Sequence, residues 1–231
     1  MAELIAIVGE SGSGKTTSIR NLNPEHTFLI STTGKRPGIK GANKKYQNFV
    51  ISEGKATGNF FTSSSVDQIA KVLQIIDKKL LHITTVVIDD FQYIMGFEAM
   101  DRAKEKSYDK FTDMAQHVYQ VLKTAMNMRD DLNIIVSTHS ENIGDRMNPY
   151  HKMKTLGKML DSVITLEGLF TYVLFTTVQR TDDNSLPSYK FITNSDGTCT
   201  AKSPMGLFDS IYIDNDLNYV VNRIKEYNEE D

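Results

Sequence analysis

Gly9-Glu10-Ser11-Gly12-Ser13-Gly14-Lys15-Thr16 is the stretch on which the fold turns. It satisfies the spacing G-x-x-x-x-G-K-[ST] in full, and its flanks count as much as its letters. Ahead of it stands the apolar run Leu4-Ile5-Ala6-Ile7-Val8, which reads as a buried strand. Behind it, Lys15 to Leu22 reads as a short helix stopped by Asn23-Pro24. Glycines at 9, 12 and 14 let the backbone curl until successive N–H groups point inward at the oxygens of a bound anion. The start of the helix adds its positive end, and Lys15 adds a mobile cation.

Working outward, strands alternate with helices. Thr27 to Ser31 reads as a second buried strand, and Thr33 to Tyr46 as a glycine-rich loop with Lys35, Arg36, Lys40, Lys44 and Lys45 but no acid. Ser65 followed by Gln68 predicts a capping box. Val66, Ile69, Ala70, Leu73, Ile76 and Leu80 then fall at helical spacing. Thr84 to Ile88 is a β-branched run that ends in Asp89-Asp90. From Ser107, a predicted N-cap, Phe111 to Met126 reads as a long amphipathic helix. Ile134 to Ser137 reads as another buried strand. After the polar loop Ser140 to Lys154, the pattern predicts a short helix near 155–161 and a strand near 163–166. Phe170 to Val178, Tyr189 to Thr193 and Thr198 to Ala201 read as a β meander, with Asn194-Ser195-Asp196-Gly197 as a hairpin turn. A helix over about 214–228 closes the chain.

This order predicts an α/β fold in one domain over 1–231. Its mostly parallel core would run to about residue 166, flanked by helices, with an antiparallel extension and closing helix over 167–231. The 231 residues are 40% hydrophobic and 9% aromatic, enough for a sizeable core. A net charge of -3 argues against coating nucleic acid by bulk charge, though not against a local basic groove. Cys199 is the single cysteine, which excludes a disulfide framework and suits a reducing cytosol. No apolar run approaches the roughly 18 residues of a membrane span, so a cytoplasmic chain with no membrane partner is expected.

The full motif in its strand–helix context predicts a P-loop that holds ATP or a similar nucleotide. Gly9, Glu10, Ser11, Gly12, Ser13, Gly14, Lys15, Thr16 and Thr17 form the cofactor-binding set. Lys15 would also act on the β and γ phosphates, and the Thr16 hydroxyl on Mg2+. Thr85-Val86-Val87-Ile88-Asp89-Asp90 looks like a Walker B strand, which would bring Asp89 to the same Mg2+. Asp90 stands where many hydrolytic P-loop proteins keep a glutamate that polarises water. It is one methylene shorter, and a cap or ion pair is the alternative. Ile134-Ile135-Val136-Ser137-Thr138-His139 ends a further strand. If that strand lies between the cradle strand and the acidic strand, Thr138 or His139 faces the γ-phosphate; otherwise His139 is structural.

At these residues the chain resembles RecA-like P-loop ATPases. More narrowly, it resembles phage-encoded ATP-binding proteins linked to recombination and single-strand annealing. GESGSGKTT at 9–17, VVIDD at 86–90, VSTHS at 136–140 and TLGKMLDSVITL at 155–166 carry the likeness. The resemblance implies a homo-oligomer with ATP between subunits, single-stranded DNA as partner, and phage recombination or replication proteins as company. It also implies that Ser140 to Lys158 approaches DNA, with Arg146, Lys152, Lys154 and Lys158 as phosphate contacts. Lys190 and Lys202 would reach a neighbour's nucleotide. Where RecA proteins carry a glutamate after the second strand, Ser31-Thr32-Thr33 stands instead.

The basic loop offers a second nucleic-acid surface, with Tyr46, Phe49, Phe60 and Phe61 as candidates for base stacking. A solvated loop over core aromatics is the plainer reading. Two other functions fit the motifs: a small-molecule kinase, such as a nucleoside or nucleotide kinase, and an ATP-switched loader or adaptor without fast turnover.

Overall fold

In a computed structural model, which describes residues 1–106, 109–155, 165–179 and 186–229, the strands form one eight-stranded sheet and two small hairpins. The sheet contains β1 (Glu3–Val8), β2 (Thr27–Ser31), β5 (Phe60–Thr62), β6 (Thr85–Asp89), β7 (Asn133–Thr138), β10 (Tyr172–Gln179), β11 (Ser188–Ile192) and β12 (Tyr212–Asp214). Its order is β12-β11-β10-β1-β7-β6-β2-β5. All pairs from β10 to β5 are parallel, whereas β10–β11 and β11–β12 are antiparallel. β7 therefore lies between the cradle strand β1 and the acidic strand β6. That is the order expected of a RecA-like P-loop core, here followed by an antiparallel C-terminal extension.

The strands are apolar almost throughout because both sheet faces are covered. Period-2 alternation sends Leu4, Ala6, Val8, Phe28, Ile30, Val86, Ile88, Ile134 and Val136 to one face. There they meet α2 (Val66–Lys79) and α4 (Asp109–Met126), through Ile69, Leu73, Ile76, Val118 and Leu122. Ile5, Ile7, Leu29, Val87, Ile135 and Leu174 point to the other face, against Ile19 and Leu22 and against α5 (Leu217–Glu229).

Several local expectations are corrected. The short helix expected after the cradle is present as a 3-10 helix, Thr16–Asn21. So short a helix has little macrodipole, and an anion held here would depend on Lys15 and the curled amides. Ser65 is the N-cap of α2, but it makes no capping hydrogen bond; the Ser63 hydroxyl instead donates to Gln68 Oε1 (2.8 Å) and accepts from the Ser65 N–H (2.9 Å). The polar loop after β7 is a hairpin, β8 (Ser140–Asn142) with β9 (His151–Met153). Residues 33–46 contain a single turn, α1 (Ala42–Lys45), and lead into a second hairpin, β3 (Val50–Ser52) with β4 (Lys55–Thr57). α3 (Tyr93–Asp101) follows the acidic strand.

β10 runs parallel to β1, so the parallel core extends past residue 166. The Asn194–Gly197 turn closes no hairpin. Thr198 to Ala201 is not a strand, and Cys199 and Lys202 make isolated bridges to His151 and Val173 while β12 pairs with β11. Leu166 opens a 3-10 helix, Leu166–Leu169, instead of ending a strand. Ser107 and residues 156–164, with most of the 155–161 helix and 163–166 strand, lie outside the described residues. Among the described residues, no helix is long and apolar enough to cross a membrane.

Candidate functional site

The cradle is fixed at the C-terminal ends of three adjacent strands. The Gly9 N–H donates to Thr138 O at the end of β7 (3.2 Å), and the Ser140 N–H donates back to Gly9 O (3.3 Å). On the other side Gly9 abuts β10 so closely that an added Cβ would fall 1.8 Å from Thr176 Oγ1. The Ser13 hydroxyl donates to Glu10 O (2.6 Å) and pairs with the Thr176 hydroxyl. Gly14 has φ +101°, and Tyr189 from β11 covers it, with Cδ1 2.8 Å from where a Cβ would stand. Glycine is required at both positions by contact, and at Gly14 by conformation too.

Lys15 is 7% exposed. Its ammonium donates to the carbonyls of Gly9 and Glu10, each at 2.8 Å. Among the described residues it makes no ion pair. Burial draws its pKa below the ordinary 10.5, against the opposing pull of Asp90, Asp89 and Glu10. A buried cation resting only on backbone carbonyls suits an incoming polyanion, which the surrounding amides would share. Glu10 and Ser11 are exposed on the rim; Thr16 and Thr17 are half-buried.

Across the cradle, the Thr16 hydroxyl donates to Asp89 Oδ2 (3.1 Å), and the Ser137 hydroxyl donates to Asp89 Oδ1. Burial pushes the Asp89 carboxyl above its usual range, with Asp90 adding to it and the two hydroxyls and Lys15 opposing. Among the described residues, no group of three or more His, Cys, Asp or Glu is placed to hold a metal. One carboxylate beside one hydroxyl fits Mg2+, which usually takes few protein ligands and completes its shell with phosphate oxygens and water.

Asp90 has φ +62°, the left-handed region. Its N–H donates to Ser137 Oγ (3.0 Å), and the Thr32 hydroxyl donates to its carbonyl (2.7 Å). His139 Nε2 lies 3.8 Å from Asp90 Oδ1. Burial first, then Lys15, hold the His139 pKa below 6.5, Lys154 acting the same way and Asp90 opposing. The His139 N–H donates to Gln92 Oε1 (3.3 Å), and its carbonyl accepts from the Lys154 N–H (2.8 Å). A neutral imidazole and a carboxylate thus flank the ammonium, an arrangement able to orient and deprotonate water.

The structure brings Lys15, Thr16, Asp89, Asp90 and His139 together, as the motifs suggested. Sequence reasoning gave no role to Thr32, Ser137, Thr176 or Tyr189. Ser137 carried a signal, as a hydroxyl two residues ahead of His139 on a strand expected to reach the site. Thr176 and Tyr189 carried none, because only the fold places them against glycines. A cleft of about 330 Å3 opens beside the cradle, between Glu10, Ser13 and Thr176 on one wall and His151 of the hairpin on another.

The other candidate surfaces are mixed. Tyr46 and Phe60 are buried, and Phe49 and Phe61 pack against the core, so none stands free to stack a base. Lys190 pairs with Asp214 (2.5 Å) and Lys152 with Glu141 (3.2 Å), while Lys202 is half-buried in its bridge to Val173. Arg146 and Lys154 are exposed; Lys158 lies outside the described residues.

No protein-family model and no curated protein sequence matches the chain. Among solved structures it is similar to a KaiC-like protein of the hyperthermophilic archaeon Pyrococcus horikoshii. That likeness has 12% identity and a TM-score of 0.45, and it covers 82% of this chain and 78% of the other.

Proposed function

We propose that this chain is a magnesium-dependent ATPase that acts as a nucleotide-controlled switch on single-stranded DNA. In this reading it works as a homo-oligomer, in the company of phage recombination or replication proteins. The observation that carries the reading is the meeting of Lys15, Thr16 and Asp89 with Asp90 and His139 at the ends of β1, β6 and β7. Lys15 and the amides of the cradle would take the phosphates; Thr16 and Asp89 would hold the ion. Magnesium, when bound, supplies neutralisation of charge on the β and γ oxygens. Asp90 and His139 would orient the attacking water and accept its proton.

DNA is supported by the exposed Arg146 and Lys154 on and after the β8–β9 hairpin. The link between the hairpin and the site is short, since the Lys154 N–H bonds the carbonyl of His139. A change at His139 therefore reaches the hairpin through one hydrogen bond, as a switch requires.

The test is ATP turnover by the purified chain with and without oligo(dT), with Lys15→Ala alongside. Stimulation by DNA, abolished in Lys15→Ala, is the expected result. Consumption of ATP that needs a nucleoside and ignores DNA would replace this reading with a kinase. ATP-driven assembly without turnover would replace it with a loader. Turnover by Lys15→Ala at the wild-type rate would discard the site itself.

A further inference from the structure

The basic segment 33–46 is not used by the nucleotide site, and its five cations divide into two kinds. Arg36 and Lys45 are structural. The Arg36 guanidinium donates to Tyr46 O (2.5 Å) and Asn48 Oδ1 (2.6 Å) and lies over the Phe60 ring, 4.6 Å from its centroid. Lys45 Nζ donates to Arg20 O in the helix behind the cradle (2.9 Å). Lys35, Lys40 and Lys44 are exposed, and among the described residues their ammonium groups have no hydrogen-bond or ion-pair partner. No acidic residue occurs between Glu25 and Glu53, so in a chain of net charge -3 this is a local island of positive charge.

The island is tied to the nucleotide site at both ends. Its entrance is Thr32, whose hydroxyl bonds Asp90 O, and the Ser31 hydroxyl donates to Lys35 O (2.9 Å). Its exit is Lys45, bonded to Arg20 directly after the cradle. Because β2 is parallel to β1 in the sheet, the segment leaves on the edge where the cradle and the β8–β9 hairpin also lie.

We propose that Lys35, Lys40 and Lys44 are a second contact for the phosphate backbone of single-stranded DNA, set by the state of the nucleotide site through Thr32 and Lys45. This rests on the DNA reading above. With the neighbouring aromatics buried, the contact is to phosphates and not to bases, so it gives affinity and salt dependence without sequence preference.

The test compares the wild type with K35Q/K40Q/K44Q in binding labelled oligo(dT), by fluorescence anisotropy over a KCl series. A hairpin variant, R146Q/K154Q, is run beside them. The three lysines are exposed, so the triple variant should melt as the wild type does and keep its melting shift with Mg-ATP. Single strands give a salt slope of about 0.7 per phosphate neutralised, so the slope should fall by about 2 and affinity at 50 mM KCl by about tenfold or more. Unchanged slope and affinity in the triple variant, with loss confined to the hairpin variant, would overturn this proposal and leave the DNA reading standing. A wild type that binds no oligo(dT) at low salt would overturn both. Loss of binding to anionic vesicles with DNA binding intact would reassign the island to a membrane surface and overturn the proposal.

Discussion

Asp90 shows how a single residue can be held where its backbone would not rest. A left-handed conformation costs a non-glycine residue about 1 kcal/mol or more, least for Asp and Asn, whose side chains tolerate it best. Bonds from Asp90 to Ser137 and from Thr32 back to it maintain that conformation. Asp90→Gly should therefore melt higher, by about 2–4 °C for each kcal/mol relieved. It should still bind Mg-ATP while its turnover falls about 100-fold. Equal turnover would remove Asp90 from the chemistry. His139 gives a pH test. Its folded pKa lies below the ordinary 6.5, so the folded state binds that proton less tightly than the unfolded chain does. The group costs nothing well above 6.5, and subtracts stability as pH falls from there through the folded value. His139→Gln should match the wild-type melting temperature at pH 7.5 and exceed it increasingly below pH 6.5, and its turnover should lack an acid limb there. A limb that persists in the variant belongs to another group. The two acidic positions and His139 were legible from strand ends alone. Thr32 was not, because it was read as the absence of a glutamate and not as a clamp on Asp90.

At the scale of elements, legibility followed burial. The continuous apolar runs of β1, β2, β6 and β7 could be read to within a residue or two, since strands covered on both faces leave no polar letters to blur them. α3 was missed because Tyr93-Ile94-Met95-Gly96-Phe97 is apolar on all sides, with no amphipathic period and a glycine inside. The β3–β4 and β8–β9 hairpins were missed because three-residue strands are too short to show alternation. At Asn194–Gly197 the turn was real but its partner was not, since a turn residue fixes local geometry and leaves distant pairing open. The cradle's fit to β10 belongs at this scale too. Gly9→Ala should cost about 1–3 kcal/mol by overpacking against Thr176, and should weaken Mg-ATP binding as the loop shifts. Thr176→Ala removes the nearest obstructing atom, so the double variant should recover part of the melting temperature lost by Gly9→Ala. Strict additivity of the two losses would show that the clash is relieved elsewhere.

For the whole molecule, the free protein holds an ammonium and a carboxyl group where burial disfavours the charged form of each. Lys15 is drawn below its ordinary pKa and Asp89 is pushed above its own, and in each case burial is the largest cause. An acid with a raised folded pKa contributes stability that is present below its unfolded value near 3.8 and is lost as pH rises through the folded value. On the proposed reading, a charge that costs the fold at neutral pH is kept for the ligand it would bind. Asp89→Asn should therefore melt above the wild type at pH 7 without ligand, with the gap closing as pH falls toward 4. Added Mg-ATP should reverse the ranking. A ligand at 100 times its dissociation constant stabilises by about 2.7 kcal/mol, which for a chain of this size raises the melting temperature by roughly 5–10 °C. The wild type should show that rise; Asp89→Asn should lose most of it, and Lys15→Ala all of it. Differential scanning fluorimetry over pH, with and without Mg-ATP, reads both halves of the argument. An Asp89→Asn variant that melts below the wild type at every pH would mean that the hydrogen bonds from Thr16 and Ser137 outweigh the cost of burying the charge. Asp89 would then be a structural anchor of β6 and not a carboxylate held in strain for an ion.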